Sequence, residues 1–400
     1  MKYKNMKKVY YSNSQEYEKT YNDRFNNEET MHFDFDIFRQ PAFLVWTKEI
    51  GSLISKILKN DKLVWKAVEN LPIEAIGQFQ QKSLIEEIKL TNEIEGVAST
   101  RKEIIEAFNA VANKKNKETR FYGIVNKYVM LMDQNTSITS CKDIRNIYDE
   151  LVLDEVILEN PENKPDGVYF RKNEVFVEKN SKIIHSGVMP EATIIEYLDK
   201  GIKLINDNEI DSLVSMAVFH YLFGYVHPFY DGNGRMSRYI SSALLSKDLF
   251  FLVGFNLSYV IKNHIGEYYK AFALTNDAKN CGDLTPFVTT FLEFVVEATE
   301  ELLMDLSEKD EKYKRYETIL SADESLKKLN KEFIPLLLAN SLFGIKGISI
   351  EEIATAINVN NMTVRNYFKA LDKAMILVSK EGHKNLYDIN LNYLEELYNE

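Results

Sequence analysis

Cysteine is almost absent from this chain: two in 400 residues, Cys141 and Cys281. They lie far apart and belong to no CxxC or Cys/His spacing, so a disulfide framework and a cysteine zinc site are both excluded as organising features. They read as free thiols in a reducing compartment. Positive charge is also short. Lys and Arg number 49 against 60 Asp and Glu, a net of −11, which argues against nucleic-acid binding through bulk charge. No apolar run approaches the length of a membrane span. There is no internal repeat and no low-complexity linker. The N-terminal string MKYKNMKKVYYSNSQEYEKT has no apolar core behind it and does not read as a secretory signal. The expectation is a cytoplasmic protein of two or three domains, with no membrane partner. Delivery by a specialised secretion system stays open. Hydrophobic residues make up 45% and charged residues 27%, enough apolar side chain for a sizeable core.

What is present is a dense string, HPFYDGNGRMSR at 227–238. Gly232 and Gly234 flank Asn233 and permit backbone angles that aim N–H groups at one anion. The segment RMSRYISSALLSK reads as a helix, which places that cradle at a helix N-terminus where the dipole favours phosphate. Arg235 and Arg238 stand three apart, and the planar guanidinium fork suits polyphosphate oxygens. Asp231 is a hard oxygen ligand of the kind that holds Mg²⁺ together with substrate phosphates. His227 ends an apolar run and sits at the mouth of the site, where an imidazole of ordinary pKa accepts a proton at neutral pH. A plain Gly/Asn/Asp turn explains the glycines but not four chemical groups converging on it.

The string resembles the signature HxFx(D/E)GNGRxxR of the Fic family, with every defining position matched. The resemblance covers roughly residues 33–300 and is strongest at 227–238. It implies a mainly α-helical Fic fold and transfer of AMP from ATP to a hydroxyl of a target protein. It also implies roles. His227 is the general base, Phe229 anchors the loop within the nucleotide-holding set, and Asp231 holds Mg²⁺. Gly232, Asn233, Gly234 and Arg235 cradle the phosphates, while Arg238 meets the far end of the triphosphate.

A second segment bears on the first. Residues 83–96 read SLIEEIKLTNEIEG, with Leu84, Ile85, Ile88 and Thr91 at helical spacing and Gly96 as a stop. Thr91 and Glu95 are i,i+4 neighbours on one face. The string Thr91 to Gly96 is similar to the (S/T)xxxE(G/N) inhibitory motif of regulated Fic proteins. That likeness implies that Glu95 pairs with Arg238 and holds negative charge where the γ-phosphate belongs. An amphipathic helix ending in a solvated glutamate is the plain alternative.

Short β-like runs on either side of Asn180-Ser181 read as a hairpin within 167–187. This is similar to the Fic flap, which implies docking of a target segment as an added edge strand beside Ile183, Ile184 and His185. A hairpin that merely caps the helices is the alternative.

Elsewhere, residues 1–30 are expected to be loosely ordered and 33–113 helical, with breaks at Pro41, Pro72 and Gly96. Three regions follow: 1–115 with the inhibitory helix, 116–308 as catalytic core, and 309–400. The last reads as helix, turn, helix and β-wing and resembles a winged helix-turn-helix domain, with Thr363, Arg365, Asn366, Lys369 and Lys373 on or near the second helix. DNA binding and protein contact stand equal for it. His220 reads as a packed core residue, His264 as a neighbour of the nucleotide pocket, and Tyr268/Tyr269 as its wall or as core aromatics. The leading expectation is an autoinhibited protein adenylyltransferase. Its rivals are removal of AMP, or transfer of another nucleotide or phosphate group, at the same site, and a nucleotide-sensing DNA-binding regulator. The target protein, self-modification and homo-oligomerisation are left open.

Overall fold

The computed structural model describes residues 3–399 except 115–116, 133–135, 180–181, 325, 327–328 and 330. The expected Asn180-Ser181 turn lies outside the described residues. The chain forms two compact units. One comprises Met1–Asp61 and Leu84–Glu300, the other Lys62–Ser83 and Glu301–Glu400.

The N-terminal residues are ordered, not loose: helices α1 (Met6–Ser12) and α2 (Tyr17–Phe25) form there. A correction also applies to 33–113. Strands β1 (Thr30–Ile37) and β2 (Gln40–Val45) pair antiparallel before any long helix begins. The alternation in HFDFDI fits a strand, but the turn is disguised. Phe38 and Arg39 take the left-handed angles, φ 48° and 66°, that two-residue hairpin turns usually give to Asn and Gly.

Helices α3 (Lys48–Glu69) and α4 (Ile73–Ile94) follow, each with residues in both units. Next come α5 (Arg101–Ala112), α6 (Tyr122–Met132), α7 (Cys141–Leu151) and α8 (Leu153–Glu159). Capping boxes start two of them, Thr100/Glu103 on α5 and Ser140/Asp143 on α7. The expected hairpin is β3 (Phe176–Lys179) with β4 (Lys182–Ser186).

The centre of the first unit is α9 (Glu191–Ile205), α10 (Ser212–Val226) and α11 (Asn233–Asp248), with α10 packed on both neighbours. α10 reads SLVSMAVFHYLFGYV and is apolar on every side, so it can only be a core helix. Burial of each Leu, Val or Phe along it is worth roughly 1.5–3 kcal/mol. Asp211 caps its start by accepting from Leu213 N and Val214 N. α12 (Leu257–Asn263), α13 (Ile265–Thr275) and α14 (Thr285–Ala322) complete the helices around it.

The second unit ends in α15 (Phe333–Phe343), β5 (Ile348–Ser349), α16 (Ile350–Ala356), α17 (Asn361–Ala370), β6 (Ile376–Glu381), β7 (Lys384–Ile389) and α18 (Leu391–Asn399). Its strands form an antiparallel sheet in the order β5-β7-β6, with Gly382 at φ 60° in the β6–β7 turn. Among the described residues no helix is long and apolar enough to cross a membrane.

Candidate active site

The site is built where α10 stops and α11 starts. His227 closes α10 in the left-handed region at φ 52°, its N–H still donating to Phe223 O. The loop behind it is braced by Asn233, whose amide oxygen accepts from Phe229 N at 2.9 Å and whose amide nitrogen donates to Phe229 O at 2.7 Å. Phe229 is fully buried, stacked on Tyr148 with ring centroids 3.7 Å apart. The Tyr148 hydroxyl donates to Asp231 O. Gly232 turns the chain into α11 at φ 80°. Two aromatic rings and one asparagine thus brace the loop from within.

A cavity opens on this loop. His227, Asn233, Gly234 and Arg238 line one side, Glu95 another, Tyr268 and Tyr269 of α13 a third, and Ile184 and His185 of β4 reach it from the hairpin. The ring of His227 has no side-chain hydrogen-bond partner among the described residues, and its one partner is the backbone of Gly224. Burial, aided by His185 nearby, pulls its pKa down to about 4. It is therefore neutral at pH 7 and free to accept a proton. A polyanion in the cavity would raise that pKa toward neutrality, where a general base works best.

Arg238 is fully buried, with two of its three guanidinium nitrogens engaged. Its Nε donates to Thr91 Oγ1 at 2.7 Å, and its Nη2 donates to Thr91 O at 3.1 Å and to Glu95 Oε1 at 2.8 Å. The Glu95 carboxylate also lies against the first turn of α11, so close that a Cβ built on Gly234 would sit 2.1 Å from Oε1. A carboxylate thus lies against that helix start, where backbone N–H groups and the dipole favour an anion. Gly96, just beyond, is at φ 75°. The end of α4 is held from its other faces too. Buried Glu87 accepts from the Ser258 N–H and hydroxyl, and burial raises its pKa to about 7. Glu93 pairs with Lys262.

Two expected neighbours of the cavity, Arg235 and His264, stand elsewhere, while Phe229 lies off the cavity as a buried anchor of the loop. Arg235 does not line the cavity: its Nη1 donates to Glu155 at 3.2 Å, and burial pushes that carboxyl upward against the pull of the guanidinium. It turns toward α8 to reach Glu155 even though residues 235 and 238 stand only about 60° apart around the helix. Phe229 is a packing residue beneath the loop. His264 is bound to Glu267 and Glu297 and lines no part of the cavity. His220 is buried, its Nδ1 on the Ser241 hydroxyl and its Nε2 on the Tyr268 hydroxyl. In the hairpin, Ile183 and Ile184 are exposed while His185 is buried, its Nε2 bonded to Tyr225 O at 2.6 Å. Four residues that matter here gave no local signal: Tyr148, Glu87, Arg171 and Asn276, whose amide oxygen accepts from Tyr221 at the cavity wall.

Asp231 is the one loop carboxylate suited to Mg²⁺. Its Oδ1 accepts from Gly232 N, and no cluster of three acidic, histidine or cysteine ligands occurs among the described residues. A single carboxylate fits an ion that takes most of its ligands from water and substrate phosphates.

Residues 138–245 match the model of the Fic/DOC family. This Fic segment holds α7 to α10, the β3–β4 hairpin and the site loop, while Thr91 and Glu95 lie outside it. The chain is 27% identical over 236 residues to "Protein adenylyltransferase Fic" of Drosophila ananassae, covering 57% of this chain and 43% of that protein. It is 28% identical over 138 residues to its Drosophila melanogaster counterpart, covering 34% and 25%. The match thus spans a quarter to under half the length of these curated relatives. A Fic family protein from Desulfovibrio desulfuricans G20 superposes with TM-score 0.52 at 19% identity, over 86% of this chain and 97% of that one. The mainly helical Fic fold is shared.

Proposed function

We propose that this chain transfers AMP from ATP to a hydroxyl of a protein, and that Glu95 restrains the transfer. One observation carries the reading: a buried arginine at a helix N-terminus, the natural seat of a phosphate, is occupied by a carboxylate from another helix, beside a neutral histidine. In the reaction the target hydroxyl oxygen attacks the α-phosphorus and His227 takes its proton. The bond to the bridging oxygen breaks, and pyrophosphate leaves. The N–H groups of 232–234 and Arg238 stabilise the phosphate charge. Mg²⁺, held by Asp231, would neutralise the same charge when bound. The exposed Ile183 and Ile184 suit docking of an extended segment on the hairpin.

Glu95 at Arg238 removes one phosphate donor and repels the terminal phosphate, so ATP binds without its productive pose. Labelled ATP separates the alternatives. Label retained from the α-phosphate but not the γ-phosphate marks AMP transfer. Label retained from the γ-phosphate would mark phosphate transfer and overturn the reading.

For the C-terminal residues 333–399 we read a winged helix-turn-helix module, with α17 as second helix and β6–β7 as wing. Arg365, Lys369, Lys373, Lys380 and Lys384 are exposed, and none is ion-paired among the described residues. By contrast, the charges of 308–315 are tied in i,i+4 pairs. Unpaired cations on one helix and wing favour duplex DNA as its ligand.

A further inference from the structure

Arg171 lies in the loop before the β3–β4 hairpin. It is fully buried, and no carboxylate pairs with it among the described residues. Its guanidinium instead donates to four main-chain carbonyls. Nε reaches His227 O at 2.8 Å, Nη1 reaches Asn173 O at 2.7 Å, and Nη2 reaches Val188 O at 2.9 Å and Val226 O at 3.2 Å. Its own N–H donates to Pro228 O. The carbonyls come from the two sides of the hairpin base and from the C-terminal end of α10, where the helix dipole is negative. Val188 N donates to Val226 O and Gly187 N to Val175 O, closing the same joint. There is no slack: a Cβ on Gly187 would stand 2.3 Å from Arg171 Nη2.

Burying a guanidinium away from any carboxylate is costly, and here four charge-assisted bonds to carbonyls offset that cost. What the arginine supplies is geometry. His227 sits at a left-handed angle that non-glycine residues avoid, and its carbonyl is gripped by Arg171. We propose that Arg171 is a positioning residue that ties the backbone of His227 to the hairpin base, so that base and docked acceptor are presented in one rigid frame. The inference rests on the AMP-transfer reading. It adds that alignment of the base is set from the carbonyl side of His227 and independently of the nucleotide cradle at Arg238.

His227 faces Arg171 from that loop, His185 from β4 and Glu95 from the end of α4. It shares its cavity with Arg238, Tyr268 and Tyr269. The charge of Arg171 is among the influences that lower the His227 pKa, after burial and His185.

The test uses the full chain carrying Glu95→Gly, with Arg171→Lys and Arg171→Met added in turn. Both should lower kcat by about 100-fold, the scale of a misplaced reacting group. The Kd for ATP should stay within about twofold, because no cradle residue is touched. NMR titration of the His227 ring should give a raised pKa in Arg171→Met and an unchanged one in Arg171→Lys. Retention of full kcat by Arg171→Lys, or a loss confined to ATP affinity, overturns the proposal. If the Glu95→Gly parent moves no AMP, the transfer reading fails by itself. The ring titration still decides the inference, and identical His227 signals and pKa in all three proteins overturn it. Should Arg171→Met not fold, Gly187→Ala, which crowds the guanidinium without removing it, must reproduce the kcat loss.

Discussion

Two buried guanidiniums stand at opposite ends of this site, and they are satisfied in different ways. Arg238, on α11, meets a side-chain carboxylate and one threonine. Arg171, at the foot of the hairpin, meets only main-chain carbonyls. A carboxylate on a side chain can swing away and free its partner without disturbing the fold. Four carbonyls from the loop, the hairpin base and a helix end cannot. On the proposed reading, one end of the site changes state and the other holds still, with the terminal phosphate assigned to the first and the proton acceptor to the second.

The largest break in this comparison is loss of the base. His227→Ala should lower AMP transfer by roughly 10²–10⁴ while the Kd for ATP moves less than about twofold, as measured by single-turnover kinetics and calorimetry. Loss of ATP binding by a folded variant would show that the two ends are not separate. Next comes the Arg171 series. Freeing the switchable end then follows: Glu95→Gly should raise transfer about tenfold or more, since a charge-assisted hydrogen bond is worth roughly 1.5–3 kcal/mol. A smaller rise, about two- to fivefold, should follow Thr91→Ala, which removes the acceptor of Arg238 Nε and loosens α4 without taking away the repelling charge. A fall in transfer would recast Thr91 as a support of phosphate binding. Last, the C-terminal module tests whether the chain has a partner unrelated to this site. Binding of a labelled duplex should weaken between about 50 and about 200 mM salt, with a slope that drops when Arg365 and Lys369 become Ala. Salt-independent retention of a protein and no duplex would assign the module to protein contact.

The site loop was legible because its residues are contiguous: histidine, carboxylate, glycines and arginines occupy twelve consecutive positions. The pairing of Glu95 with Arg238 was legible only through a resemblance, since nothing in local spacing relates residues so far apart. The turn of Arg235 toward Glu155 was not legible because that partner lies 80 positions away in the sequence. The hairpin β1–β2 was missed because Phe38 and Arg39 adopt left-handed angles without Gly or Asn to announce them. Arg171 was invisible for a plainer reason. Its partners are backbone carbonyls, which every residue carries.

The central claim is that the Glu95 carboxylate occupies the place of a phosphate and can be displaced from it. The direct measurement is AMP incorporation from α-labelled ATP, into the protein itself and into a lysate, for the natural chain and Glu95→Gly at equal ATP and Mg²⁺. The account predicts a rise of about tenfold or more in Glu95→Gly, abolished again by His227→Ala. Equal rates in the two proteins would contradict it, leaving the contact at Arg238 as part of the fold and α4 as a packing helix.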